Sequence, residues 1–555
     1  MPTDPLAAVT TRPGLIPQGQ PVDARQEVNH AGGYVYETTW EQRLLRFLVL
    51  GTTGGTFYAS EQAHTAEATG DVRAIIDRHG VDAVRVITEV SVAGRAPRQN
   101  PTLWALAYAT SVADEATRKA ALDAVQAVCR TGTMLFLFAR YVEQHRGWGR
   151  ALQRTVARWY TEPPVDDVAF QIVKYGQREG LSHRDLLRLA KPGANGNTYD
   201  TAEQRDTVRR ALFSWTVGKP YETEALPRIV EGAILASTAP SDSDLAHVIR
   251  DYRLPWEAIP SERLNSRPVW EALLPGLGAT ALIRQLPRLT RIGLLDAGPE
   301  RAEVIARLTN EEYLRRGRVH PLQVLNALLG YRSGSARSGG EFRPIPQIVD
   351  ALDRGFYASF GAVEPVGGPV LLALDVSPSM FGATIAGTNL TAGHAAAALA
   401  LVTAATEPDY EIIAFASAAK YAAQAGYGSR SQRGVIELPL SPRQRLDDVV
   451  KAMDGISWGG TDCALPYLYA LTHQRPVDLF VTYTDNETWA GDVHPHVALG
   501  NYRDRMSRPK AAGVVVGMTA TRFSIADPAD PRMMDVVGFD LATPSLISAF
   551  GRGEV

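Results

Sequence analysis

The chain has 555 residues, 45% hydrophobic and 21% charged, with a formal net charge of −3. These are the values of an ordinary soluble protein; they argue against a globally basic nucleic-acid binder, and no run approaches the roughly 18 apolar residues of a membrane span. The length allows two to four domains' worth of core, or one long repeat array joined to a globular domain.

Residues 1–24 are rich in proline and polar residues and are expected to form a flexible N-terminal tail. The tail lacks the basic and long apolar regions of a secretory signal. Cys129 and Cys463 are too few and too far apart for a disulfide framework or a zinc site, so the expected compartment is the cytosol. The charge is unevenly spread. Residues 361–555 carry 14 Lys and Arg against 20 Asp and Glu, whereas residues 130–191 carry 11 against 6. Local density of this kind is what makes an electrostatic footprint.

Residues 25–330, within an expected helical-repeat domain of 25–360, read as helical almost throughout, from apolar residues at three- and four-residue spacing. The expected helices begin with Trp40–Leu50, Ala66–His79, Val81–Val92, Pro101–Ala113, Glu115–Arg130, Thr133–His145, Gly149–Tyr160 and Val165–Arg178. They continue with Ser182–Leu189, Ala202–Trp215, Leu226–Ser237, Ser243–Asp251, Pro268–Leu274, Gly276–Leu286, Arg301–Thr309 and Pro321–Leu329. Many helices of similar length with short connections predict stacked pairs, a solenoid of the HEAT kind. No clean sequence period emerges, and a compact irregular helical domain remains the alternative.

Within this region Arg150, Arg154 and Arg158 fall four residues apart on one helix stripe. Like charges at that spacing repel, and phosphates would relieve them; a solvated face, with Glu162 available to Arg158, is the competing reading. Lys174 and Arg178 also share a face by spacing. Ser182 reads as an N-cap with Asp185 three residues on, which places His183 and Arg184 in the first helical turn. Cations there oppose the helix dipole, while an anion is favoured by the free N–H groups. Lys174, Arg178, His183 and Arg184 are therefore expected to contact phosphate, although a lone histidine would more often bond a nearby carbonyl.

Tyr331–Gly340 is the clearest loop, and a last helix is expected at Ile345–Phe360. Beyond it the period changes. Strands are expected at Pro369–Leu374, Tyr410–Ala416, Asp478–Tyr483, Ala511–Met518 and Met534–Val537. Helices at Ala392–Thr406, Pro442–Met453, Asp462–Leu471, Val497–Arg508 and Pro544–Gly551 alternate with them. That alternation predicts an α/β doubly wound domain over 361–555.

Its ligand crevice should lie at the carboxyl ends of the strands. Asp375, Ser377 and Ser379 follow the first strand, Thr461 sits in a glycine-hinged loop, and Asp485 ends a third apolar run. Carboxylates and hydroxyls suit a hard divalent cation such as Mg²⁺. Three unrelated strand–loop junctions would supply the same residue types, but the order D-x-S-x-S, T, D favours one site.

Bond-breaking chemistry is poorly represented: there is no Walker loop, no G-x-S-x-G and no H-E-x-x-H. Cys129 reads as core, Cys463 has no histidine in its local motif, and His494 and His496 would need further ligands to hold zinc.

Asn29–Tyr34, Leu44–Leu48, Gly54–Tyr58, Trp148–Leu152 and Ser182–Arg188 resemble the TROVE module of the Ro ribonucleoprotein autoantigen family. DVSPSM, GGTDCALP and TDNETWAG resemble its von Willebrand factor A domain and that domain's metal-ion-dependent adhesion site. The similarity spans nearly the whole chain and resembles the bacterial members. It implies an all-α HEAT-like helical-repeat ring closed by the A domain. It further implies Y RNA on an outer basic face, at Lys174, Arg178, His183, Arg150 and Arg154, and single-stranded 3′ ends of misfolded or immature RNA in a central hole. A 3′–5′ exoribonuclease partner, RNA quality control and stress survival, a monomeric state and no membrane association complete the expectation. One departure is Pro378, where the family more often has glycine; proline fixes φ and removes an N–H beside the metal loop. The reading is a non-enzymatic RNA-binding scaffold. Its rivals are a metal-dependent protein-adhesion module with incidental RNA binding and a metal-dependent hydrolase.

Overall fold

The computed structural model describes residues 15–51, 61–178, 180–192, 207–335, 340–361, 363–382, 384–385, 390–417, 434–453, 456 and 459–555; side chains at 61–64 are left aside. The motif Gly54–Tyr58 and positions 202–206 of one expected helix lie outside these residues.

Seventeen α-helices are described in the first part of the chain. They begin with α1 (Trp40–Leu50), α2 (Glu61–Val92), α3 (Asn100–Ala109), α4 (Glu115–Val128), α5 (Gly132–His145), α6 (Arg150–Thr161), α7 (Val165–Tyr175), α8 (His183–Ala190) and α9 (Thr207–Val217). The second run comprises α10 (Arg228–Thr238), α11 (Asp242–Tyr252), α12 (Arg267–Leu273), α13 (Ala279–Arg291), α14 (Pro299–Leu308), α15 (Glu311–Arg316), α16 (Pro321–Arg332) and α17 (Pro346–Ala358). Side-chain caps start many of them: Thr39, Asp114, Thr131, Ser182, Ser241 and Asn310 each accept a backbone N–H of the first turn.

The HEAT-like stacking is visible in who touches whom. α2, α4, α6 and α8 pack in succession as one layer, and α3, α5, α7 and α9 as the other. Within each layer a helix thus packs on the helix two along, and α3 against α2 and α4 and α9 against α8 join the layers, which is how a solenoid buries a continuous core. The array continues through α10, α11 and α12 and ends in α13–α17. Its two ends meet: the Arg318 Nε donates to the Val92 carbonyl at 3.1 Å, and the Gln323 amide donates to the Pro97 carbonyl at 3.0 Å. The helical region is therefore a ring.

The second part is a six-stranded sheet of β5 (Val370–Asp375), β6 (Tyr410–Phe415), β7 (Val435–Glu437), β8 (Leu479–Thr484), β9 (Ala512–Gly517) and β11 (Met533–Val537). The order is β11-β9-β8-β5-β6-β7, parallel throughout except for the edge strand β7. Every residue of β5, β8 and β9 is buried, as expected of strands covered on both faces. The helices around it are α18 (Pro378–Gly382), α19 (Ala392–Thr406), α20 (Leu446–Met453), α21 (Leu465–Thr472), α22 (Pro495–Arg505) and α23 (Thr543–Arg552).

Several short strands were not expected, β7 among them. β1 (Gln26–Val28) and β2 (Tyr34–Glu37) form a hairpin that pairs with β10 (Phe523–Ser524), and β3 (Gln177–Arg178) with β4 (Leu181–Ser182) forms a second hairpin. The tail expectation for residues 1–24 is corrected over its described part. Gln18 is fully buried, its amide donating to Asp462 and to the Val493 carbonyl at 2.8 Å each. A buried amide with both bonds made is anchored, so this segment belongs to the A domain's surface rather than to solvent.

Candidate nucleic-acid interface and metal centre

The structure separates the six expected RNA contacts by burial. Arg150 and Arg154 are exposed along α6, while Arg158 on the same stripe pairs with Glu162 at 2.9 Å and Asp123 at 3.8 Å. Helix α7 stops at Tyr175, so Lys174 and Arg178 do not share a helix face; Arg178 stands on the β3–β4 hairpin, exposed, and donates to the Gln177 carbonyl at 2.7 Å. Lys174 is half-buried, its ammonium 5.2 Å from the Phe170 ring and 5.4 Å from the Tyr175 ring. The Ser182–Asp185 capping box forms as expected, with Asp185 accepting the Ser182 N–H at 2.9 Å, and Arg184 is exposed just inside it.

His183 is the correction. Its side chain is 1% exposed, its Nδ1 lies 2.7 Å from the Tyr160 hydroxyl, and its ring packs on Phe136 and Trp159. Burial lowers its pKa to about 4, which keeps the imidazole neutral. A neutral ring inside the helix stack meets no phosphate; its contribution is to seat α8 against α6.

The five metal-type residues come together. Asp375 ends β5 and Asp485 follows the neighbouring strand β8. The Ser377 and Ser379 hydroxyls are 3.0 Å apart, and the Thr484 hydroxyl donates to Asp375 at 2.7 Å. All five are at most 2% exposed. Burial raises the pKa of Asp375; burial, then the charges of Asp375 and Glu487, push Asp485 up to about 8. The buried Thr461 hydroxyl has no hydrogen-bond partner among the described residues. Two crowded buried carboxylates and an orphaned hydroxyl are the features that a small hard cation would relieve. Pro378 fits the loop: it begins α18, where the missing N–H would have had no helical partner anyway.

A cavity of about 340 Å³ opens over these groups, lined by Ala31, Ser377, Pro378, Ser379, Gly459, Gly460, Thr461 and Trp489. Beside it Glu487 accepts the Ala31 N–H at 3.0 Å and pairs with His30 at 2.8 Å; His30 also reaches Glu67 on α2 at 3.2 Å. These acids hold the His30 ring protonated, raising its pKa to about 10. Sequence reasoning passed over His30 and Glu487 because their partners come from distant segments.

Cys129 and Cys463 are both buried with thiol pKa values pushed up by burial, which removes either as a nucleophile. His494 and His496 bond to the N-terminal segment, at the Gln20 carbonyl and the Tyr36 hydroxyl, and no group of three or more metal-binding His, Cys, Asp or Glu exists among the described residues. Among those residues, no helix is long and apolar enough to cross a membrane.

Residues 27–225 and 238–330 match the TROVE domain model, and residues 369–551 match the Ro60 vWA domain model. The chain is 44% identical over 546 residues to the RNA-binding protein RO60 of Deinococcus radiodurans, covering 97% of this chain and 98% of the relative. It is 30% identical over 609 residues to the RNA-binding protein RO60 of Caenorhabditis elegans, covering 97% and 92%. The crystal structure of the Deinococcus radiodurans RO (RSR) protein superposes with a TM-score of 0.65 at 42% identity, over 93% of this chain and 100% of that one.

Proposed function

The chain belongs to the family defined by the TROVE and Ro60 vWA domains, and on that premise we propose that it is an RNA-binding scaffold of a Ro ribonucleoprotein. The observation that carries the reading is a set of exposed cations that form no salt bridge among the described residues: Arg150 and Arg154 on α6, Arg178 on the hairpin, within electrostatic reach of Glu257, and Arg184 on α8. Lys174 stands beside them. Exposed like charges close together gain nothing from one another and gain from phosphates.

The RNA assigned to this face is a small structured one, a Y RNA by the family resemblance, recognised mainly by shape and backbone. Single-stranded 3′ ends of misfolded or immature RNA enter the middle of the ring, and a 3′–5′ exoribonuclease acts on them in RNA quality control and stress survival. The protein itself does no chemistry. A divalent cation such as Mg²⁺, held by Asp375, Ser377, Ser379, Thr461 and Asp485, would supply a positive charge for an anionic group of a partner. The protein works as a monomer in the cytoplasm.

A gel-shift titration with a structured small RNA tests the assignment. Replacing Lys174, Arg178 and Arg184 together by alanine should weaken binding at least tenfold while the circular dichroism spectrum stays unchanged; unaltered affinity would remove these residues from the interface. Protein association that depends on a chelatable metal in nuclease-treated lysate, with no RNA affinity, would favour the adhesion reading instead.

A further inference from the structure

Trp104, Tyr108 and His145 form an aromatic ledge apart from the exposed cations of α6, α8 and the hairpin. Trp104 and Tyr108 lie one turn apart on α3, their rings 8° from parallel with centroids 6.1 Å apart. His145, at the end of α5, stands edge-on to both, 5.5 Å from each. The three rings are half-buried. Burial, then the charge of Arg73, lowers the pKa of His145, so its ring is neutral at neutral pH.

Arg73 of α2 lies over this ledge, its guanidinium carbon 5.6 Å from the Trp104 ring centre and 5.5 Å from that of Tyr108. The acid that would ordinarily take it is Asp77, one helical turn on. Asp77 instead accepts the Tyr108 hydroxyl at 3.0 Å, and Arg73 forms no ion pair among the described residues. A guanidinium is a plane with donors around its edge. With one face on the rings, this exposed arginine keeps its other face and its N–H edge for a ligand. Held flat, it loses little entropy when covered. The connection 146–149 leads from His145 to Arg150, the first residue of α6, a span of at most about 18 Å. Arg146 within that connection donates to the Thr110 carbonyl at 2.5 Å. The ledge therefore borders the basic stripe of α6.

We propose that Arg73 and the rings beneath it seat one unpaired base of an RNA whose phosphates lie on Arg150 and Arg154, the base stacked on the open guanidinium face. The proposal rests on the RNA-binding reading and adds to it a base contact outside the cations that grip phosphate. A base fits this seat because stacking is the interaction that uses a flat cation backed by aromatic rings. A carboxylate would bond the guanidinium edge and gain nothing from the open face.

The test compares two fluorescent RNA hairpins of equal charge, one with a short single-stranded tail of adenosines and one with the same tail lacking its bases. Both are titrated with the full chain by fluorescence anisotropy. The adenosine tail should bind about fivefold or more tighter, the gain expected of one stacked base. Arg73→Lys keeps the charge and loses the plane; it should remove that preference and leave the affinity for the abasic tail and its salt slope unchanged. Arg150→Ala should weaken both RNAs alike and keep the preference. Equal binding of the two RNAs by the wild type, or a preference that survives Arg73→Lys, would overturn the proposal and leave the RNA-binding reading standing. Equal weakening of both RNAs by Arg73→Lys would make the contact one to phosphate and overturn it as well. Binding of neither RNA would overturn both readings.

Discussion

His183 and Arg184 are neighbours in the chain and opposites in surroundings. Sequence reasoning placed both in the first turn of α8, which is where they are, but the turn does not say which face each side chain takes. The signal was present: His183 precedes Leu186, Leu187 and Ala190 by three, four and seven residues, and those four are the buried positions of the helix. A histidine on an apolar stripe is core first. The metal-type residues were legible because each ends an apolar strand or follows a glycine hinge; the orphaned state of Thr461 was not, since it depends on what three loops leave unfilled. Two predictions belong here. An imidazole depressed to about 4 binds fewer protons folded than unfolded, so its contribution is complete above its unfolded value of about 6.5 and is lost as pH falls towards 4. His183→Phe should flatten that part of the pH dependence of the urea midpoint, while costing about 1–3 kcal/mol at neutral pH from the Tyr160 hydroxyl left without its partner. An unchanged slope would mean the ring titrates normally. At the metal site, millimolar Mg²⁺ should raise the melting temperature of the wild type and leave Asp375→Ala unmoved; equal shifts in both would place the ion elsewhere.

Helices were read well because three- and four-residue spacing is a local property, and α1 and α19 match their expected limits residue for residue. The two helices expected at Ala66–His79 and Val81–Val92 are parted at Gly80, as the sequence reading has them. The chain runs from Glu61 to Val92 with a break at φ 45°, ψ −111°, a conformation for which glycine is the natural residue. Gly80→Ala would also set a methyl 2.5 Å from the Thr117 hydroxyl of α4. It should cost about 1–3 kcal/mol in denaturant unfolding, and no loss would show that the kink relaxes freely. β1, β2 and β10 escaped notice for a different reason. Two to four residues hold no usable alternation, and the pairing of β2 with β10 joins segments nearly 500 residues apart in sequence.

The closed shape depends on contacts that no local pattern encodes. Arg46 of α1 is fully buried; its guanidinium pairs with Asp535 at 2.6 Å and donates to the Thr521 and Phe523 carbonyls at 2.6 Å each. Near the start of α16, the His320 Nε2 lies 2.8 Å from the Phe539 carbonyl, and Arg95 bonds Asp540 at 2.8 Å from the α2–α3 connection. Arg332 and Asp448, 2.9 Å apart, tie the end of α16 to α20. The A domain thus grips both ends of the helical array. Arg46→Met should strand Asp535 in the interior and cost about 3–5 kcal/mol, read as a lower urea midpoint; a neutral result would mean the pair is dispensable to the junction.

RNA affinity is assigned to exposed cations of α6, α8 and the hairpin meeting phosphates, and the salt dependence of binding measures that most directly. Log affinity for a structured small RNA should fall linearly with log salt concentration. Replacing Lys174, Arg178 and Arg184 by alanine should make that slope shallower by about one for each phosphate no longer neutralised. A triple variant with the wild-type slope and affinity would contradict the assignment.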